Sequence, residues 1–262
     1  MPTRTLLTGA TGTLGATLLP RLQADGHDVL AASRSPPTDG DARWQTLDLT
    51  DGTGVEDAVS DVDVVVHAAT APQGDSEAVD VRGTERLVEA ATEAGVSNFL
   101  YVSIVGVDEI PFSYYQHKRE AEEIIETSDV PTTIVRATQF HSFVGDLLDG
   151  VSRLPVWPLP TRLRVQPIAV EDAADAIVEH AAADPAGRVP PVGGPEVLTL
   201  GELATAYRAA RGLRRLIVRL PLPGKVAGGF RAGEGTCPDR TVGSVTWEEW
   251  LETRYGSGTG ER

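Results

Sequence analysis

The sequence predicts an α/β fold, a doubly wound parallel sheet carrying a small C-terminal lobe. Short apolar runs alternate with helix-period segments along the first half of the chain, and such alternation builds a parallel sheet with right-handed crossovers. The run Asp63 to His67 is continuously hydrophobic, as expected of a strand covered on both faces. A glycine-rich turn, TGATGTLG from Thr8 to Gly15, separates the first such run from the first helical pattern. At 262 residues and 41% hydrophobic, the chain suffices for one such core. We expect the sheet domain at residues 1–143 and the smaller lobe, interleaved with the main sheet, at 144–262.

Arg4 to Leu7 reads as a buried first strand. Thr13 to Ala24 reads as a helix, because Leu14, Leu18, Leu19 and Leu22 recur at helical spacing. Between them Gly9, Gly12 and Gly15 lack Cβ atoms, so backbone N–H groups and the positive helix end can approach phosphate oxygens closely. The turn residues Gly9, Thr11, Gly12, Thr13, Leu14 and Gly15 are therefore the candidate cradle for a dinucleotide. Asp28 to Ser33 is the second strand. An acidic residue at its end would take the ribose hydroxyls of NAD, whereas Ser33 and Arg34 offer a hydroxyl and a guanidinium suited to a 2′-phosphate, so NADP(H) is expected over NAD(H).

Arg43 to Leu47 makes a third strand and Asp51 to Ser60 a short helix. The fourth strand, Asp63 to His67, ends in Ala68, Ala69 and Thr70, small residues that let a nucleotide lie against the backbone. His67 reads as a hydrogen-bonded core residue. Glu77 to Ala94 is a long helix, Asn98 to Val102 a fifth strand ending at Ser103, and Thr132 to Arg136 a sixth.

TGATGTLG, the later DVRGTERL and the pair Tyr114 and Lys118 together carry a resemblance over roughly Thr5 to Trp250. They resemble the extended and atypical short-chain dehydrogenase/reductases, a branch that also holds NmrA-like proteins and an accessory subunit of respiratory complex I. The resemblance implies a Rossmann domain whose Asp48 and Leu49 contact the adenine edge. It implies Tyr114 and Lys118 as the catalytic pair, followed by the usual Glu122, with Ser103 where the family's hydroxyl group begins. Later positions of that loop are Ile104 and Val105, and Asp80 stands where an Asn is usual. After the sixth strand and Thr138, which would join the cofactor site, Gln139, Phe140 and His141 resemble the atypical branch, whose aromatic covers the nicotinamide.

Tyr114 and Lys118 are four apart and share a helix face; Tyr115, three from Lys118, also reaches it. An ammonium about 4 Å from a phenolate contributes roughly 4 kcal/mol at an effective dielectric near 20, about three pKa units off a tyrosine's usual 10. Tyr114 could then pass a proton as hydride moves to or from the nicotinamide, while Lys118 holds the ribose. Only two lysines occur, Lys118 and Lys225, so one at this position is informative. The function expected is an NADP(H)-dependent oxidoreductase acting on a small apolar carbonyl, alcohol or enone. The alternatives are an NmrA-like sensor that binds the dinucleotide without turnover and, more weakly, a nucleotide-sugar epimerase or dehydratase.

His141 reads as a surface helix-capping residue, with a spare proton donor as the alternative. Gly145 to Pro160 reads as a helix with a proline-rich linker, and Arg162 to Ala169 with Val170 to Ala183 resemble the family segment that returns a strand and helix to the main sheet. Thr199 with Glu202 and Thr246 with Glu249 form capping boxes. Leu216 to Leu220 is a last strand, and Gly256 to Arg262 a loose tail. Phe140, Phe143 and Trp157 suggest an apolar substrate in a lobe closing over the nicotinamide end. With 38 acidic and 23 basic residues the net charge is −15, which disfavours nucleic acid, and no Lys/Arg cluster of useful size stands out. Abundant carboxylates with almost no lysine fit a halophilic surface that works in concentrated salt. No membrane span, signal peptide, metal-ligand spacing or disulfide (Cys237 is the lone cysteine) is visible, so a cytoplasmic protein meeting a small molecule is expected.

Overall fold

The computed structural model describes residues 2–38 and 42–256; the predicted tail beyond Gly256 lies outside the described residues. The chain divides into two compact units, the first made of 1–103, 112–136 and 174–190 and the second of 104–111, 137–173 and 191–262.

The first unit is built on a seven-stranded sheet in the order β3-β2-β1-β4-β5-β6-β9. Its strands are β1 (Arg4–Thr8), β2 (Asp28–Ser33), β3 (Arg43–Thr46), β4 (Val64–His67), β5 (Asn98–Ile104), β6 (Thr132–Ala137) and β9 (Gly187–Arg188). The register pairs Leu6 with Leu30 and with Val65, all in parallel. Crossovers are made by α1 (Thr13–Ala24), α2 (Val55–Val59), α3 (Gly83–Ala94), α4 (Ser113–Thr127) and α6 (Val170–Val178), with α5 (His141–Ser152) following β6. The sheet reverses its order at β1 and β4, where an open α/β sheet places its ligands. Leu6, Val65, Phe99, Tyr101, Leu87 and Ile134 are buried in one core cluster.

Two helices of the first unit depart from the sequence reading. The helix expected at Asp51 begins only at Val55, because Gly52 and Gly54 are left-handed, at φ +87° and +76°. The long helix from Glu77 opens with a π-helical stretch, Glu77–Arg82, before α3. There Thr84 bonds back to the Asp80 carbonyl at 2.7 Å, and Gly83 packs so closely on Leu49 that a Cβ would lie 2.7 Å from its side chain.

In the second unit β7 (Val156–Leu159) pairs in parallel with β11 (Leu216–Arg219), and β8 (Arg164–Val165) pairs antiparallel with β10 (Leu198–Thr199). The strand expected at Arg162 to Ala169 therefore does not return to the main sheet; the two-residue β9, absent from the sequence reading, does. Two helices, α7 (Leu200–Ala210) and α9 (Trp247–Tyr255), start at complete capping boxes on Thr199 and Thr246. A helix not foreseen, α8 (Lys225–Ala232), is masked in the sequence by Gly228 and Gly229, poor helix formers. Trp157, Tyr207 and Trp247 fill this unit's core, so Trp157 is a fully buried packing residue.

Candidate dinucleotide and proton-transfer site

The glycine turn separates three demands on one motif. Gly9 is left-handed at φ +68°, and a Cβ there would lie 2.7 Å from the Ala69 backbone. Gly15 has no room either, since its Cβ would meet the Gly9 carbonyl oxygen at 2.1 Å. Both glycines are required by the fold itself. Gly12 is not: it caps α1 at φ −76° and ψ 168°, and its only close internal neighbour is the Gly9 oxygen at 3.2 Å. No side chain caps this helix and no acid stands in its first turn. An uncapped, positive helix end behind an exposed glycine is a fit for an anionic group that must approach the backbone. The residues present therefore suit a pyrophosphate, with Thr11 and Thr13 exposed beside it and Leu14 anchoring the helix in the core.

At the end of β2, the Ser33 hydroxyl lies 3.1 Å from that of Thr11, tying the strand end to the turn. Arg34 follows on the surface, and no carboxylate pairs with it among the described residues. Asp48 shapes its own loop, its Oδ1 accepting from the N–H and hydroxyl of Thr50 at 2.8 and 2.6 Å. Leu49 is buried under Gly83. Ala68 and Ala69 are half-buried at the end of β4, and Ala69 packs on Gly9.

Below the turn, His67 is fully buried between β1 and α3, its Nδ1 2.7 Å from the Thr8 hydroxyl and its Nε2 3.0 Å from that of Thr84. Thr84 donates its single proton to the Asp80 carbonyl, so Nε2–H must be the donor to Thr84 and Nδ1 the acceptor from Thr8. Burial, with the Lys118 ammonium second, pushes His67 down to about 3. It is a neutral core histidine, as its sequence context indicates.

Asp80 organises the candidate proton-transfer group. Its carboxylate is 1% exposed and accepts from the Thr70 hydroxyl at 2.6 Å and from the Ala71 N–H at 3.0 Å. Thr70 has then spent its proton, so the 2.8 Å contact with Tyr114 runs with the phenol donating. Lys118, one helical turn along α4 and 3% exposed, donates to the Val102 carbonyl at 2.8 Å and lies 3.7 Å from Asp80. Its ammonium stands 4.2 Å from the centre of the Tyr101 ring.

The structure thus brings Tyr114, Lys118 and Thr70 together around a carboxylate that the sequence marked only as a departure. It also corrects the expected electrostatics. Burial first and Asp80 second raise the Tyr114 phenol above its usual range, instead of Lys118 lowering it. The ammonium is answered by Asp80 and the Val102 carbonyl, and burial lowers its own pKa.

Ser103 is 2% exposed inside β5 rather than in the following loop, and its hydroxyl makes no hydrogen bond. Tyr115 is buried, on the far side of the helix from solvent. Glu122 is a fully buried anchor: Arg136 grips it at 2.8 Å, Arg188 at 3.2 Å and Arg119 at 3.7 Å, tying α4 to β6 and β9.

Thr138, Gln139 and Phe140 fall in the second unit. Thr138 is buried, with its hydroxyl 3.4 Å from the Gly194 N–H; the Gln139 amide lies 3.5 Å from the Gly235 carbonyl; and Phe140 precedes α5. His141 is not a surface cap. It is 1% exposed, packs at a tilt against the rings of Trp247 and Trp250, and meets the Val245 carbonyl at 2.9 Å.

Residues 9–184 match the profile of a family described as NAD(P)H-binding. Over 84% of its length the chain is 28% identical to an uncharacterized protein of Mycobacterium tuberculosis, of which it spans only 24%. It is 27% identical to a ceramide reductase of Caulobacter vibrioides, covering 85% of this chain and 75% of that one. In fold it is similar to an NADPH-dependent quinone oxidoreductase of Escherichia coli complexed with NADPH, with a TM-score of 0.79, 18% identity and coverage of 96% and 99%. The chain spans about a quarter of the length of the first curated relatives it matches.

Proposed function

Because this chain belongs to the NAD(P)H-binding family, we propose that it is an NADP(H)-dependent oxidoreductase that reduces a small apolar carbonyl or enone. The observation that carries the reading is the Tyr114, Thr70, Asp80 and Lys118 group on the same unit as the glycine turn. The nicotinamide, when bound, supplies a hydride and its electron pair. Gly12 and the uncapped end of α1 would hold the pyrophosphate, Arg34 a 2′-phosphate, and the one N–H of Lys118 left over from Val102 and Asp80 the nicotinamide ribose.

Tyr114 would give its phenolic proton to the substrate oxygen as charge develops there. Burial and Asp80 keep this phenol protonated, so its proton is present to be given, and the charge of a bound nicotinamide and the Lys118 ammonium would have to ease its release. The likeness to a ceramide reductase supports a reductase.

A second reading is favoured by one observation. The Ser103 hydroxyl is sealed inside β5 and the next positions are Ile104 and Val105, so the substrate-binding hydroxyl of the resemblance has no exposed counterpart there. On that reading the chain is a dinucleotide sensor. Following nicotinamide oxidation across a panel of quinones, enones and small ketones separates the two. The enzyme reading expects at least one substrate to be turned over with NADPH preferred to NADH. Arg34→Ala should weaken NADPH binding about ten- to a hundredfold, the worth of a charged hydrogen bond, while leaving NADH unchanged. Tight NADPH binding with no turnover of any member would reject the enzyme.

A further inference from the structure

The net charge of −15 conceals a basic segment that the sequence reading passed over. Between Glu202 and Glu234 no acidic residue occurs, while Arg208, Arg211, Arg214, Arg215, Arg219, Lys225 and Arg231 do. In the second unit this segment carries β11, whose pairing is with β7 alone, in a two-stranded sheet. The parallel register sets Leu216 beside Val156 and Val218 beside Pro158 on the face opposite the buried Trp157 and Leu159. That outer face is open: Leu216 is 64% exposed and Val218 42%, and Leu154, Val156, Leu220 and Leu222 are exposed with them. Of the cations that β11 and the residues just before it carry, Arg214, Arg215 and Arg219 have no ion-pair partner among the described residues, whereas Arg211 is answered by Asp149.

We propose that the outer edge of β11 is a docking site for an extended acidic segment of a partner protein, added as a strand with alternate apolar side chains on Leu216 and Val218. Charge selects this occupant. A second copy applied face to face would bring the same three unpaired arginines against each other, which opposes an isologous contact. A lipid surface would leave the edge N–H and C=O groups of β11 without partners in an apolar medium, at several kcal/mol each, whereas an incoming strand satisfies them. An apolar strip ringed by cations instead matches a strand whose apolar positions alternate with Asp or Glu. This inference is independent of the oxidoreductase reading, because no residue of it belongs to the dinucleotide site.

The test uses the whole chain and a fluorescent peptide of alternating glutamate and valine, followed by anisotropy at about 0.15 M salt, where charges act over about 8 Å. Saturable binding is expected, with a lysine and valine peptide at least about tenfold weaker. The double variant Arg215→Glu with Arg219→Glu should reverse that preference, and Val218→Lys should abolish binding of both while circular dichroism and NADPH binding stay unchanged. Equal affinity for the two peptides, or none, overturns the proposal. So does a dimer by light scattering that Val218→Lys dissociates, or sedimentation with phosphatidylglycerol vesicles that the arginine variants lose while the acidic peptide fails to bind.

Discussion

At the scale of single residues, the glycines of one turn do different work, and substitution should separate them. Gly15→Ala forces a Cβ to within 2.1 Å of the Gly9 oxygen and should cost about 1–3 kcal/mol or more of stability, read as a lower Tm. Gly12→Ala places its Cβ against little within the chain and should leave stability within about 1 kcal/mol, yet weaken NADPH about tenfold by holding phosphate off the helix end. Equal stability losses in the two variants would contradict this division. The motif was legible from spacing, but the division was not, because it depends on what each missing Cβ would touch. Asp80 teaches the same lesson. A carboxylate in place of an amide is visible in the sequence, but that it takes the Thr70 proton, and so fixes Tyr114 as donor, requires the folded π-helical stretch that aims it.

Among elements, β4, β1 and α3 are joined through His67, and this joint has a pH signature. His67 titrates near 3 in the folded chain and near 6.5 unfolded, so below about 6.5 the unfolded state takes a proton that the folded state refuses. Stability from this residue is complete above that pH and falls by roughly 1.4 kcal/mol per unit as pH drops toward 3. A His67→Gln variant should lose Tm less steeply than the wild type below pH ~6. Parallel curves for the two would mean that the imidazole is not held neutral. β4 itself was readable as an unbroken apolar run, whereas β9 was not: Gly187 and Arg188 carry no strand pattern, and their pairing beside β6 is decided by the sheet they join. Glu122 likewise read as a family habit on a helix face. Its burial among Arg119, Arg136 and Arg188 makes it the ionic joint between α4 and two strands.

For the whole molecule, the charge of −15 predicts self-repulsion that salt relieves, so Tm should climb as KCl rises toward molar concentration. A Tm indifferent to KCl would show that the acidic surface carries no such burden. Net charge was a good guide to that global property and a poor one to local surface, since it hid the basic run from Arg208 to Arg231. The doubly wound parallel sheet was legible for the converse reason: every strand of it but β9 announces itself locally, and chirality leaves few ways to connect them. Among the described residues no helix is long and apolar enough to cross a membrane. The claim on which the functional account stands is that Tyr114 is the proton donor on a dinucleotide-binding unit. Its most direct measurement is the Tyr114→Phe variant, assayed for NADPH affinity and for turnover of whichever substrate the panel yields. NADPH affinity should stay within a few fold, because the glycine turn and Lys118 are untouched, while turnover falls by about 10²–10⁴, the worth of a positioned general acid. Turnover unchanged in the phenylalanine variant would contradict the mechanism and leave the dinucleotide-binding fold without its assigned chemistry.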